Sequence, residues 1–270
     1  MDQIFKTIAQ GLAEGRIVPY LGPGALPQPG PVPADASALA TWLSSQITIP
    51  HKIRTNLTAA AQYIENFKHR KTLHGLMVKA YLADIPDGPV QDWLAGLPKL
   101  PLAVSVWYDD TVARAQRARP SWGRIQGLSQ AEHHGQWYGY YGADGQAAEA
   151  GAAQAWETLV YEPWGAISPA GNFLVSDSDF VEVLTEIDIQ TPIPPEVQER
   201  RRDRHFLFLG CRFRNQLERI FARQIMKRSS DRHWAIIERP YTRNEARFME
   251  EQRITPISMP LEAFFGGLRG

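Results

Sequence analysis

Four short clusters in this chain carry residue types able to do chemistry. Gly22 and Gly24, in "YLGPGAL", lie between an apolar run and a helix-compatible segment. In such a loop backbone N–H groups and a helix end converge, and phosphate can sit there. Asp109 and Asp110, in "SVWYDD", are adjacent carboxylates closing a second apolar run, where general acid–base work is conceivable. Cys211 follows Gly210 at the end of a third run, in the place of a nucleophile. His133 and His134 stand side by side in a glycine-rich stretch.

Each cluster has a plainer reading. Two glycines also serve a tight strand-to-helix connection. Asp109 and Asp110 also suit a helix cap and first turn, favoured by the macrodipole. A lone cysteine is commonly a small buried residue. The two histidines have no acidic or thiol partner at zinc-ligand spacing, and His51, His69, His74, His205 and His233 are scattered singles, so no metal site is expected.

The elements that must position these residues follow from apolar patterning. An amphipathic first helix, with Ile4, Phe5, Ile8 and Leu12 on one face, precedes a buried strand of Ile17, Val18, Tyr20 and Leu21. After prolines at 27, 29, 31 and 33, Asp35 or Ala36 opens a helix with Leu39, Trp42 and Leu43 inward. Two helices parted near 68–72, a short helix at "GPVQDWLAGLP", a strand at 102–106 and a helix with Val112 and Ala115 inward come next. Residues 120–157, rich in Gly, Ala and aromatics, read as a hairpin or an irregular insertion. A strand at 158–161, a helix capped by Ser176 or Asp177, a strand at 206–209, and a helix with Leu217, Ile220, Phe221 and Ile225 on one face follow. A strand at "RHWAIIER", a helix at "TRNEARFMEEQR" and a last strand at "ITPISMP" complete the chain. This alternation predicts an α/β fold, a parallel sheet with helices on both faces. The arginine run "QERRRDRH" is able to grip phosphate or an acidic partner, and its plainer reading is a solvated helix end before a strand.

Composition narrows the function. The 270 residues include 29 basic and 29 acidic side chains, so no overall field draws the chain to nucleic acid or an anionic membrane. One cysteine excludes an internal disulfide framework and a cysteine-rich zinc module, and fits a reducing compartment. There is no run of the roughly 18–20 apolar residues that spans a bilayer, nor a secretion-signal pattern at the start, so a cytoplasmic protein is expected.

In order along the chain, "YLGPGAL", "AAQYIE", "LPLAVSVWYDDTVARA", "PWGAISPAGNFLVSDSDF" and "FLFLGCRFRNQLERIF" resemble the landmarks of the SIR2-like domain family. The likeness is to the branch of bacterial NAD-consuming defence proteins without a zinc ribbon. It implies a Rossmann-like fold, one SIR2-like domain over 1–270 with the insertion at about 120–157, and NAD or ADP-ribose as ligand. It also implies that the turns holding Gly22, Gly24 and Ala25, and Gly210, Cys211 and Arg212, face the nucleotide. Active members supply an asparagine after the second strand, in a Thr-Asn-Tyr-Asp turn, and a histidine before a glycine in the later turn.

Here Trp107 stands in place of that asparagine and Trp164 in place of that histidine. An indole has one N–H and no acceptor, so it neither holds a ribose hydroxyl as an amide does nor takes a proton. Pro23 removes a donor from the glycine loop, and Leu26 replaces its hydroxyl residue. The two tryptophans are readable as core aromatics, as side chains that fill the vacated pocket, or as a platform for adenine. The expectation is a catalytically degenerate module that binds a nucleotide or a protein partner, the aromatic run Trp137–Tyr141 being one contact surface. The rival is an active NAD glycohydrolase using Tyr108, Asp109 or the histidines at 133 and 134. Deacylation is disfavoured, because the zinc-ribbon cysteines and the histidine base are both missing.

Overall fold

In the computed structural model, which describes residues 2–186 and 193–268, an eight-stranded sheet runs through the molecule in the order β10-β9-β8-β1-β2-β5-β3-β4. Its strands are β1 (Ile17–Leu21), β2 (Leu102–Ser105), β3 (Trp122–Gly127), β4 (Tyr138–Gly142), β5 (Thr158–Glu162), β8 (His205–Leu209), β9 (His233–Ile236) and β10 (Ile254–Ile257). Two short strands, β6 (Gly165–Ala166) and β7 (Asn172–Phe173), pair separately. All neighbours in the main sheet are parallel except β3 and β4.

The apolar runs are continuous because both sheet faces are covered. Successive side chains alternate between faces: Val18, Tyr20, Val104, Phe206 and Phe208 enter one core, while Ile17, Leu21, Ala103, Leu207 and Leu209 enter the other. Helices α2 (Ala36–Gln46), α3 (Leu57–Lys68), α4 (Arg70–Ala80), α7 (Asp177–Glu186), α8 (Pro195–Arg201), α9 (Gln216–Met226) and α10 (Arg243–Glu251) contribute to the first core. Helices α1 (Asp2–Ala13), α5 (Pro89–Gly96) and α11 (Leu261–Leu268) contribute to the second, as does the short α6 (Thr111–Arg114). The caps are local: Asp35 accepts from Ala38 N at 2.8 Å, and Asn215 and Glu218 form a reciprocal capping box on α9.

The covered parallel sheet is the one anticipated from the alternation, the fold is Rossmann-like as the family resemblance implies, and some local readings change. Residues 120–157, expected to hold a hairpin or an irregular insertion, include an antiparallel hairpin of β3 and β4, and β3 is wholly buried beside β5. Gly123 marks close packing there, since a Cβ on it would stand 2.3 Å from the Trp156 ring. The chain does not end on a strand, because α11 follows β10 and buries Phe264 and Phe265 against Phe5 and Trp93. Its Gly266–Gly267 pair imitates a turn signal.

The arginine run changes as well. Arg201 is 3% exposed and donates to the carbonyls of Gln224 and Ile225 at the end of α9. Arg200 donates to the carbonyls of Pro101, Ala153 and Trp156, and Arg204 to that of Gly15. These guanidiniums tie α8 to chain segments far away in sequence, so only part of the run is solvated. Trp137, Tyr138, Tyr140 and Tyr141 are half-buried rather than exposed, and the Tyr140 hydroxyl donates to Glu196 at 3.0 Å.

Candidate functional site

Strand β1 lies between β2, its next neighbour along the chain, and β8, from which the chain continues the other way to β9 and β10. This reversal makes the carboxyl ends of β1 and β8 the topological switch point, where open α/β sheets hold ligands. The glycine loop after β1 and the turn after β8 therefore meet.

What they do on meeting is to close on each other. Gly22 N donates to Leu209 O at 2.9 Å, and Gly24 N donates to Gly210 O at 2.9 Å. Ala25 N donates to Gly22 O and Leu26 N to Pro23 O, at 3.0 and 3.1 Å. Pro23 has no N–H, so every donor a phosphate would need from 22–26 is already spent or missing. The glycines serve this closure: a Cβ on Gly22 would stand 2.6 Å from Gly210 O, and one on Gly210 would stand 2.1 Å from Ala25 N. Gly210 also has φ +63°, which favours glycine.

The remaining residues of the second turn also look inward. Cys211 is buried, with Sγ 3.6 Å from the carbonyls of Tyr20 and Leu209, and burial pushes its thiol well above the ordinary range. Arg212 grips Glu245 through Nε at 2.9 Å and donates to the carbonyls of Glu238 and Pro240, also at 2.9 Å. Its guanidinium joins β8 to α10 instead of reaching across the switch point.

After β2, Trp107 is 2% exposed and its indole N–H donates to Pro33 O at 3.0 Å. Tyr108 is fully buried and donates to Leu174 O at 2.8 Å. Asp109 is buried as well, accepting from Thr111 N at 2.9 Å and Thr111 Oγ1 at 2.6 Å. Burial raises its pKa, and the two bonds from Thr111 oppose that rise. Asp110 stands at the N-cap position of α6 without a side-chain capping bond, so it is Asp109, through Thr111, that organises the helix start.

After β5, Trp164 is 6% exposed and packs edge-on to Phe180 and Phe221, with ring centroids 5.5 and 5.8 Å away. Tyr108 sits between the two indoles, 5.0 Å from Trp107 and 6.2 Å from Trp164. The space beside the turns is thus filled by one aromatic cluster. Among the described residues the Trp164 indole N–H has no partner within hydrogen-bond reach. That cost of about 1–3 kcal/mol marks a residue whose ring packing outweighs its polar atom.

Glu218 escaped the sequence reading. It is partly buried on the first turn of α9, and burial pushes its carboxyl up to about 7, against the bonds from the backbone of Asn215 and Arg214. Its charge bears on Tyr20 and Cys211, so it faces the β1–β8 end of the sheet. The signal available was the Asn215-x-x-Glu218 spacing, which predicts a cap and says nothing of titration. His133 and His134 are exposed in the hairpin loop. Among the described residues no group of three or more His, Cys, Asp or Glu side chains is arranged to hold a metal, and no helix is long and apolar enough to cross a membrane.

The glycine loop offers no unspent N–H to the pyrophosphate of NAD, the ligand associated with the family, because the donors at 22–26 bond within the protein. Comparison with known proteins nevertheless gives a clear relationship. None of the curated proteins matches the chain. The sequence profile of the SIR2-like domain matches residues 101–257, more than half of the chain, taking in Trp107, Trp164 and the turn at 210–212 but not the loop at 22–26. A relationship to NAD-associated chemistry follows from that match. By this measure, and with the switch-point sheet it predicts, the chain belongs to the SIR2-like domain family.

Proposed function

We propose that this chain is a SIR2-like binding module that does not cleave NAD. One observation carries the reading: the aromatic cluster of Trp107, Tyr108 and Trp164 occupies the turns where an amide and an imidazole would act, and each of the three is buried. Breaking the nicotinamide–ribose bond develops positive charge on the sugar and needs polar groups poised around it. Indoles with spent or buried N–H groups offer none. The spent donors at 22–26 support the further step that binding is directed to a protein partner more than to a nucleotide.

The rival reading, an NAD glycohydrolase with displaced groups, draws support from Glu218, a carboxyl that burial pushes up to about 7 near Tyr20 and Cys211. Tyr108 and Asp109 do not serve it, because their polar atoms are buried and bonded inside the protein. Incubating the purified chain with NAD and following nicotinamide release separates the two. No release above buffer is expected. Steady release abolished by Glu218→Gln would establish the rival. Thermal denaturation with NAD and with ADP-ribose tests the ligand class, and an unmoved Tm is expected. A rise that grows with ligand concentration would move the module to nucleotide binding without restoring catalysis.

A further inference from the structure

On the side of the sheet opposite α1, α5 and α11, helices α9 and α10 wall two adjoining depressions of about 300 and 460 Å³, which share Arg223 and Glu251. Six cations line them, against two carboxylates. The whole chain balances at 29 against 29, so this is a local concentration of positive charge on a neutral protein.

Both carboxylates are spent. Glu251 pairs with Arg247 at 2.6 Å and Asp231 with Arg253 at 2.9 Å. Arg219 donates to the carbonyls of Phe213 and Arg214, which carry no full charge. Arg223, Lys227 and Arg228 are exposed and have no acidic partner among the described residues. Four cations therefore face the groove without a counter-charge.

Their spacing suits one kind of occupant. Arg219, Arg223 and Lys227 recur every fourth residue along α9 and its C-cap, a rise of about 6 Å per step. Alternate residues of an extended peptide are about 6.6 Å apart and point the same way. A segment with an acidic residue at every second position would thus meet one cation per step, with arginine forks matched to carboxylates. Single-stranded nucleic acid needs exposed aromatic faces on which bases stack. The rings this lining supplies, Phe248 and His233, are both buried.

We propose that the groove between α9 and α10 receives an extended acidic segment of a partner protein. This extends the binding-module reading to a definite surface but does not require it, since the groove lies outside the turns that decide NAD cleavage. The test uses the full chain and a fluorescein-labelled octapeptide of alternating glutamate and serine, read by fluorescence anisotropy. An octapeptide of alternating lysine and serine and a short oligothymidine are the comparison probes. The acidic peptide should bind, and added salt should weaken it. Arg223→Glu with Lys227→Glu, both on exposed positions, should weaken it about tenfold or more, while Arg117→Glu elsewhere leaves it unchanged. Equal binding of the lysine peptide, indifference to the double variant, or preference for oligothymidine would each overturn the proposal. Nicotinamide release plays no part in these readouts, so this proposal and the one on NAD fail separately.

Discussion

Replacing Glu218 with glutamine should stabilise the protein above neutral pH and leave it unchanged in mild acid. The folded chain holds this carboxyl at about 7, against an ordinary 4.5, chiefly because the side chain is buried at the start of α9. Between those two values the folded state keeps a proton that the unfolded state has lost. Stability attributable to the group is therefore complete below 4.5 and drains away as pH rises through 7. The full difference corresponds to a ceiling of about 3 kcal/mol, and partial solvent access brings the expectation to about 1–2 kcal/mol. Glutamine cannot ionise, yet its carbonyl oxygen still accepts from Asn215 N, as the Glu218 carboxylate does at 3.3 Å, so the cap survives. Urea denaturation of both proteins across a pH series is the assay. The difference in unfolding free energy should be near zero at about pH 4.5 and reach about 1–2 kcal/mol in favour of Glu218→Gln at about pH 8. Other titrating groups are common to both proteins and cancel in the difference. A difference that stays flat with pH, or that favours glutamate at high pH, would refute the assignment of Glu218 as a desolvated acid.

Two further outcomes follow from the geometry. Gly210→Ala should destabilise by about 3 kcal/mol or more, since it combines a positive φ with a Cβ 2.1 Å from Ala25 N, whereas Gly75→Ala, in open space on α4, should stabilise by about 0.5–1 kcal/mol. Matching denaturation midpoints for the two would show that the loops do not close on each other. His233 should stay neutral down to about pH 4, because burial lowers its pKa to about 4 and its Nδ1 accepts from Phe206 N at 3.0 Å. Its contribution to stability is present above 6.5 and is lost as pH falls toward 4, and an NMR titration of the ring with a midpoint near 6.5 would contradict it.

Much of this protein was readable residue by residue. The apolar run at Ile17–Leu21 announces a doubly covered strand, and the alternation of such runs with amphipathic helices announces a parallel sheet with helices on both faces. The indoles at 107 and 164 are visible as a break in the family pattern without any coordinates. These are local properties, set by side-chain type and by a period of two or 3.6 residues. What the tertiary structure decided is where hydrogen-bonding groups are spent. Nothing near Gly24 in sequence reveals that its N–H goes to Gly210 O, and nothing near Arg200 and Arg201 reveals that they bond the carbonyls of Pro101, Trp156 and Gln224. A glycine in sequence is equally a loop, a cradle or a seam between two backbones, and a charged run is equally solvated or a staple. Only the partner brought close by folding distinguishes them, because the cost of an unpaired buried polar group depends on neighbours that the local chain does not contain.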